Sequence, residues 1–202
     1  MAQSIENTIL NSVKKCGRGT VFFPSDFSKA GEKSAVLKAL ERMTADGTII
    51  RVARGIYCYP KIDKELGLGV LNPTYEEIAQ AIAKRDKARI VPAGVYAMNR
   101  LGLSTQVPMN VVYLTDGTTR KVSVNGSRGI LFKHVSPRNL AFHNQLALLI
   151  NSALKEMGQE NVTDEDKNRI MALLKNEPKE NVLQDIKLMP DWIASIIREA
   201  YE

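Results

Sequence analysis

The chain has 202 residues, 44% of them hydrophobic and 25% charged, with a formal net charge of +6. That composition supports a packed core and excludes wholesale disorder, and the length admits one large domain or two small ones. No apolar run reaches the roughly 20 residues that span a bilayer, and residues 1–16 lack the apolar centre of a secretory signal, so a cytoplasmic location without membrane contact is expected.

Residues 4–16 read as a first helix. Ser4 can cap it, Ile5, Ile9, Leu10 and Val13 recur at helical spacing, and Lys14 and Lys15 sit where cations suit the helix dipole. Gly17 and Gly19 stop it. Residues 20–23 are a short β-branched and aromatic strand, and Pro24-Ser25-Asp26 opens a brief second helix with Phe27 as its apolar anchor.

Residues 31–46 are strongly helical, with Val36, Leu37, Leu40 and Met43 on one face. At about 100° per residue, Ser34, Ala35, Lys38 and Arg42 fall on the opposite face with Glu41 at its border. A small, polar, cationic face is what a helix entering a major groove needs: slim residues allow close approach, while Lys and Arg reach phosphates or guanine edges. Residues 48–52 and 56–59 are then two short strands joined through Ala53-Arg54-Gly55, a hairpin carrying Arg51 and Arg54. In this order the elements outline a winged helix-turn-helix over residues 1–60, with Ser34, Lys38, Arg42, Arg51 and Arg54 as candidate contacts to double-stranded DNA. The alternative for each cation is a solubilising surface.

Residues 61–72, with Gly67 and Gly69, read as a linker and hinge; Gly67-Leu68-Gly69 lacks the third glycine of a dinucleotide fingerprint. Residues 61–202 are expected to form a second, α+β domain. It starts with a helix over 73–87, Ile78 and Ile82 inward, then a strand at Ile90 and Val91 and a small helix over 93–101 ending at Gly102. Val111-Val112-Tyr113-Leu114, the run 120–124 and the run 130–135, separated by Asp116-Gly117 and Asn125-Gly126, predict a three-stranded antiparallel meander. Gly126 and Gly129 have GxxG spacing, but in a hairpin, where an RNA-binding loop of the KH kind does not occur.

The rear is predicted helical. Residues 137–157 form its longest apolar helix (Leu140, Leu146, Leu149, Ile150, Leu154); residues 163–175 start with a capping Thr163; residues 191–201 put Trp192, Ile193, Ile196 and Ile197 on one face. Trp192 is either a core residue or a partner hot spot. The whole is thus expected to be α+β: the winged unit, a mixed part with a small antiparallel sheet, and a helical C-terminal part.

Charge follows the same division. Lys and Arg outnumber Asp and Glu by four in residues 1–60 and by six in 61–140, whereas acids lead by four in 141–202. A basic front and middle suit nucleic acid, and an acidic rear suits a different partner. Cys16 and Cys58 form no CxxC or Cys/His cluster and are read as small buried hydrophobes. No metal or cofactor is implied. His134 and His143, the only histidines, accompany no nucleophile motif, so catalysis is not expected.

The run Arg51-Val52-Ala53-Arg54-Gly55-Ile56-Tyr57, followed by Pro92-Ala93-Gly94-Val95-Tyr96-Ala97 and Leu101-Gly102-Leu103-Ser104-Thr105-Gln106-Val107-Pro108, resembles the AbiEi-like antitoxins and their DUF6088 relatives over residues 5–135. The resemblance implies a bacterial type IV toxin-antitoxin component: a repressor of its own operon, with phage defence as the setting, whose remaining domain counteracts a nucleotidyltransferase-like toxin. If its operator is an inverted repeat, half-sites lie about 10 base pairs or a multiple apart. The alternative is a protein-interaction module, or a transcriptional regulator unrelated to any toxin.

Overall fold

A computed structural model describes residues 4–124, 126 and 128–202. Ser4 caps α1 (Ile5–Cys16) by accepting a hydrogen bond from the Asn7 N–H at 3.2 Å, and Gly17, at φ 92°, ends it. Strand β1 (Val21–Phe22) leads into a single 3₁₀ turn, Pro24–Phe27, and then α2 (Lys33–Ala45). The 3₁₀ turn is fixed by Asp26, whose carboxylate accepts the Phe23 N–H at 2.8 Å.

Strands β2 (Ile50–Ala53) and β3 (Ile56–Cys58) complete an antiparallel sheet of order β1-β3-β2, with Phe22 opposite Tyr57 and Ala53 opposite Ile56. Ile9 and Val13 of α1, Val36, Ala39, Leu40 and Met43 of α2, and Phe22, Phe27, Ile49 and Tyr57 form one buried core. Each such large side chain contributes about 1.5–3 kcal/mol by leaving water. Leu37, predicted to join this core, is 39% exposed. Ala39 takes the inward position, since the buried stripe runs 36, 39, 40, 43 and Leu37 falls outside it.

Residues 61–72 are not a bare linker. Strands β4 (Lys61–Asp63) and β5 (Gly69–Leu71) pair antiparallel, and Gly67 and Gly69, both at positive φ, shape the turn instead of serving as a hinge. Ile62, Leu66, Leu68 and Val70 on this hairpin are all exposed. Helix α3 (Tyr75–Asp86) follows, with Ile78 and Ile82 buried as predicted. Lys61 pairs with Glu77 at 3.0 Å, tying hairpin to helix.

The chain divides into two units, one of residues 1–82 with 123–127 and one of 83–122 with 128–202. The β4–β5 hairpin therefore groups with the first unit, past the sequence-based division at residue 60.

In the second unit, β6 (Ile90–Ala93) precedes α4 (Gly94–Leu101), and β6, β7 (Asn110–Thr115), β8 (Arg120–Ser123) and β9 (Gly129–His134) make a sheet of order β6-β7-β9-β8. Pro92 sits in an edge strand, where its missing N–H costs least. The predicted meander is wrong: β7 pairs antiparallel with β6 and parallel with β9, which lies between β7 and β8.

Asp116 is the reason. Its carboxylate accepts the Arg89 N–H and Nε–H, each at 2.7 Å, so Asp116-Gly117 turns toward the start of β6 and does not close a two-residue hairpin. Gly117 O then accepts from His134 Nδ1 at 2.8 Å and Thr119 Oγ1 accepts from His134 N at 2.9 Å, carrying the chain across the end of β9 to the far edge. Asp86 holds β8 there through Arg120. The predicted Asn125-Gly126 turn and the GxxG over 126–129 include residues 125 and 127, which lie outside the described residues.

The predicted 137–157 helix is broken into a 3₁₀ turn, Pro137–Leu140, and α5 (Gln145–Met157), which Asn144 caps by accepting the Ala147 N–H at 2.8 Å. The break is made by Asp185, fully buried at the end of α7 (Lys179–Asp185), a helix the sequence reading missed. Asp185 accepts from His143 N, His143 Nδ1 and Asn144 N at 2.8–3.0 Å. Helices α6 (Asp164–Leu174), capped by Thr163 as predicted, and α8 (Asp191–Glu199) close a core of Leu101, Ile150, Leu154, Ile170, Leu174, Ile193 and Ile197, with Trp192 half-buried against it. The chain is thus a mixed α+β protein with, among the described residues, eight α-helices and small sheets.

Candidate nucleic-acid interface

With Val36, Ala39, Leu40 and Met43 committed to the core, α2 turns Ser34, Lys38, Glu41 and Arg42 to solvent. Glu32 occupies the N-cap without placing a side-chain oxygen on the first amides of the helix. Those unsatisfied N–H groups and the positive end of the dipole suit an anion, and exposed Lys29 and Lys33 stand at the same end. Neither lysine was among the predicted contacts.

The β2–β3 hairpin turns at Arg54-Gly55, with Gly55 at φ 71°. Arg54 is exposed at the bend, and Arg51 is the outward residue of β2 between half-buried Ile50 and buried Val52. The geometry that joins hairpin to helix is a shallow groove of about 440 Å³ lined by Leu37, Glu41, Thr44 and Ala45 of α2 and by Arg51 and Tyr57 of the sheet. Ser34, Lys38, Arg51 and Arg54 are therefore all solvent-facing, and Arg51 lies beside an exposed edge of α2.

Arg42 differs. Its Nε donates to Glu6 of α1 at 2.5 Å, so its charge is locally balanced by a carboxylate the sequence reading did not pair with it. Glu41, in the groove, opposes a polyanion.

Neither histidine is idle: His134 holds the loop before β8 and His143 binds Asp185. Among the described residues no cluster of three or more His, Cys, Asp or Glu is placed to hold a metal ion, and no helix is long and apolar enough to cross a membrane. Cys58 is buried as expected, and burial, with Glu77 nearby, pushes its thiol up to about 11. Cys16 is exposed, contrary to expectation, as the last residue of α1.

A family of unknown function, DUF6088, matches residues 8–182. The chain belongs to it. The DUF6088 match runs well past residue 135, where the resemblance read from the sequence ends, and takes in α5, α6 and the start of α7. Among solved structures, the chain is similar to the RV2827C protein from Mycobacterium tuberculosis at 10% identity and a TM-score of 0.50, over 98% of this chain and 82% of that one. A likeness at that identity is one of fold. No curated protein matches.

Proposed function

We propose that this DUF6088 protein is a DNA-binding transcriptional autoregulator and antitoxin of a type IV toxin-antitoxin system. In this reading the first unit holds a winged helix-turn-helix: the 3₁₀ turn 24–27 and α2 are its helical pair, α2 is the recognition helix, and β2–β3 is the wing. The element order and the β1-β3-β2 sheet support the assignment. The observation that carries it is the exposure of Ser34, Lys38, Arg51 and Arg54, with Arg51 in one groove with α2. Phosphate contacts fall to Lys38, Arg51 and Arg54, and Ser34 is slim enough for the helix to approach base edges.

The antitoxin half of the proposal rests on the resemblance of the runs 51–57, 92–97 and 101–108 to the AbiEi-like antitoxins. It places the protein in the bacterial cytoplasm, acting against a nucleotidyltransferase-like toxin encoded beside it. The test is co-expression with the adjacent genes, read for growth and for a reporter driven by the upstream promoter, with footprinting of that promoter by the purified protein. The expected result is rescue of growth, repression, and protected half-sites about 10 base pairs or a multiple apart. No protected promoter segment sinks the DNA reading; unrelieved toxicity of the neighbour sinks the antitoxin reading.

A further inference from the structure

The second unit contains a cavity of about 400 Å³ that the DNA reading does not use. Its floor is apolar, from Val112 and Leu114 of β7 and Leu148 of α5, and its wall is the first turn of α4 with Tyr96. That size and lining are those of a small-molecule site.

One side chain in it is unexplained by folding. Asn151 of α5 lines the cavity at 5% exposure, and its Oδ1 is wholly buried with no hydrogen-bond partner among the described residues. Its neighbour Ser152 shows what a folding role looks like, donating to Pro92 O at 2.9 Å. A buried amide oxygen left unbonded is costly and rare, and the soft terminal torsion of asparagine lets either end turn into the cavity.

The rim is ionic. Lys133 of β9 and Lys155 of α5 are exposed cations without a carboxylate partner among the described residues, and the Glu156 carboxylate stands beside Gly94 at the start of α4, 3.7 Å from where a Cβ on that glycine would lie. The cavity thus offers a flat apolar slot, a donor-acceptor amide at its base, a carboxylate, and two cations at its mouth.

We infer that this cavity binds a nucleoside monophosphate, with the base edge on Asn151, ribose hydroxyls donating to Glu156, and the phosphate on Lys133 and Lys155. The Asn amide pairs with a base edge through one donor and one acceptor, as it does with adenine in DNA grooves. The lysines act as point charges on a phosphate. A free phosphate sugar would satisfy the rim but leave the amide unbonded, and a free nucleoside would do the reverse.

The test is calorimetric titration of the full chain with AMP, GMP, CMP and UMP, against ribose 5-phosphate and adenosine as partial ligands. At least one monophosphate is expected to bind with Kd on the order of 10 µM, and the partial ligands at least about tenfold more weakly. Asn151→Leu and the pair Lys133→Gln with Lys155→Gln should each weaken binding about tenfold or more. Asn151→Leu should also leave the melting temperature of the free protein unchanged or raised, since it removes an unbonded amide, which separates lost binding from lost folding. Failure of all four monophosphates to bind, ribose 5-phosphate binding as tightly as they do, or indifference to the substitutions overturns the inference. Because the readout involves no DNA, it stands apart from the regulator reading.

Discussion

Replacing Asp185 by alanine will cost the protein about 3 kcal/mol of stability, because one buried carboxylate satisfies His143 N, His143 Nδ1 and Asn144 N together. Alanine strands the Asn144 donor in a buried place, Asp185 being 0% and Asn144 8% exposed, and takes the partner from two donors of the more exposed His143. It also loosens Asn144, whose side chain caps α5 and whose Nδ2 donates to Glu177 at 2.5 Å. A lost cap adds about 1 kcal/mol at such a position. At roughly 2–4 °C per kcal/mol, the melting temperature should fall by about 10 °C. Asp185→Asn keeps one accepting oxygen and should lose about half as much. Thermal and urea melts of the full chain measure both, and an alanine variant within about 1 kcal/mol of the parent would show that the carboxylate does not organise the α5–α7 junction.

The second large effect concerns DNA. Converting Lys38, Arg51 and Arg54 together to glutamine should weaken duplex binding on the order of a hundredfold near 100 mM salt and lower the slope of log K against log salt by about 2.7, since each phosphate contact releases about 0.9 of a counterion. Arg42→Gln, by contrast, should change little, because Glu6 already balances that guanidinium. The pair of results separates a specific face from a general positive charge: +6 overall falls to +3 in the triple variant and to +5 in the single one. Fluorescence anisotropy with the promoter fragment at several salt concentrations reads both quantities. An unchanged slope in the triple variant removes this surface from the interface.

Much of the fold was legible because it is local. Ser4 and Thr163 capped where hydroxyls precede apolar periods, Gly55 and Gly102 marked ends through positive φ, and the 3.6-residue period found α1, α2, α3 and α8. What stayed hidden depended on distant partners. Nothing within ten residues of Asp116 says that Arg89 will claim its carboxylate, yet that bond converts a hairpin into a crossing and an antiparallel pair into a parallel one. Asp185 lies about forty residues from the backbone it caps, so the 137–157 stretch read as one helix. The hairpin 61–71 was lost for another reason: its exposed leucines and two glycines carry no alternation to distinguish strand from linker. In the candidate interface all five residues are exposed, while the Glu6 partner of Arg42 needed coordinates.

The two cysteines end the molecule's list of thiols, and their surroundings make them unequal tools. With Cys58 shielded and its proton held to about 11, a maleimide dye offered near neutral pH has Cys16 alone to react with. One fluorophore per chain, at the close of α1 on the unit proposed to bind DNA, turns the native protein into its own reporter without a single engineered residue.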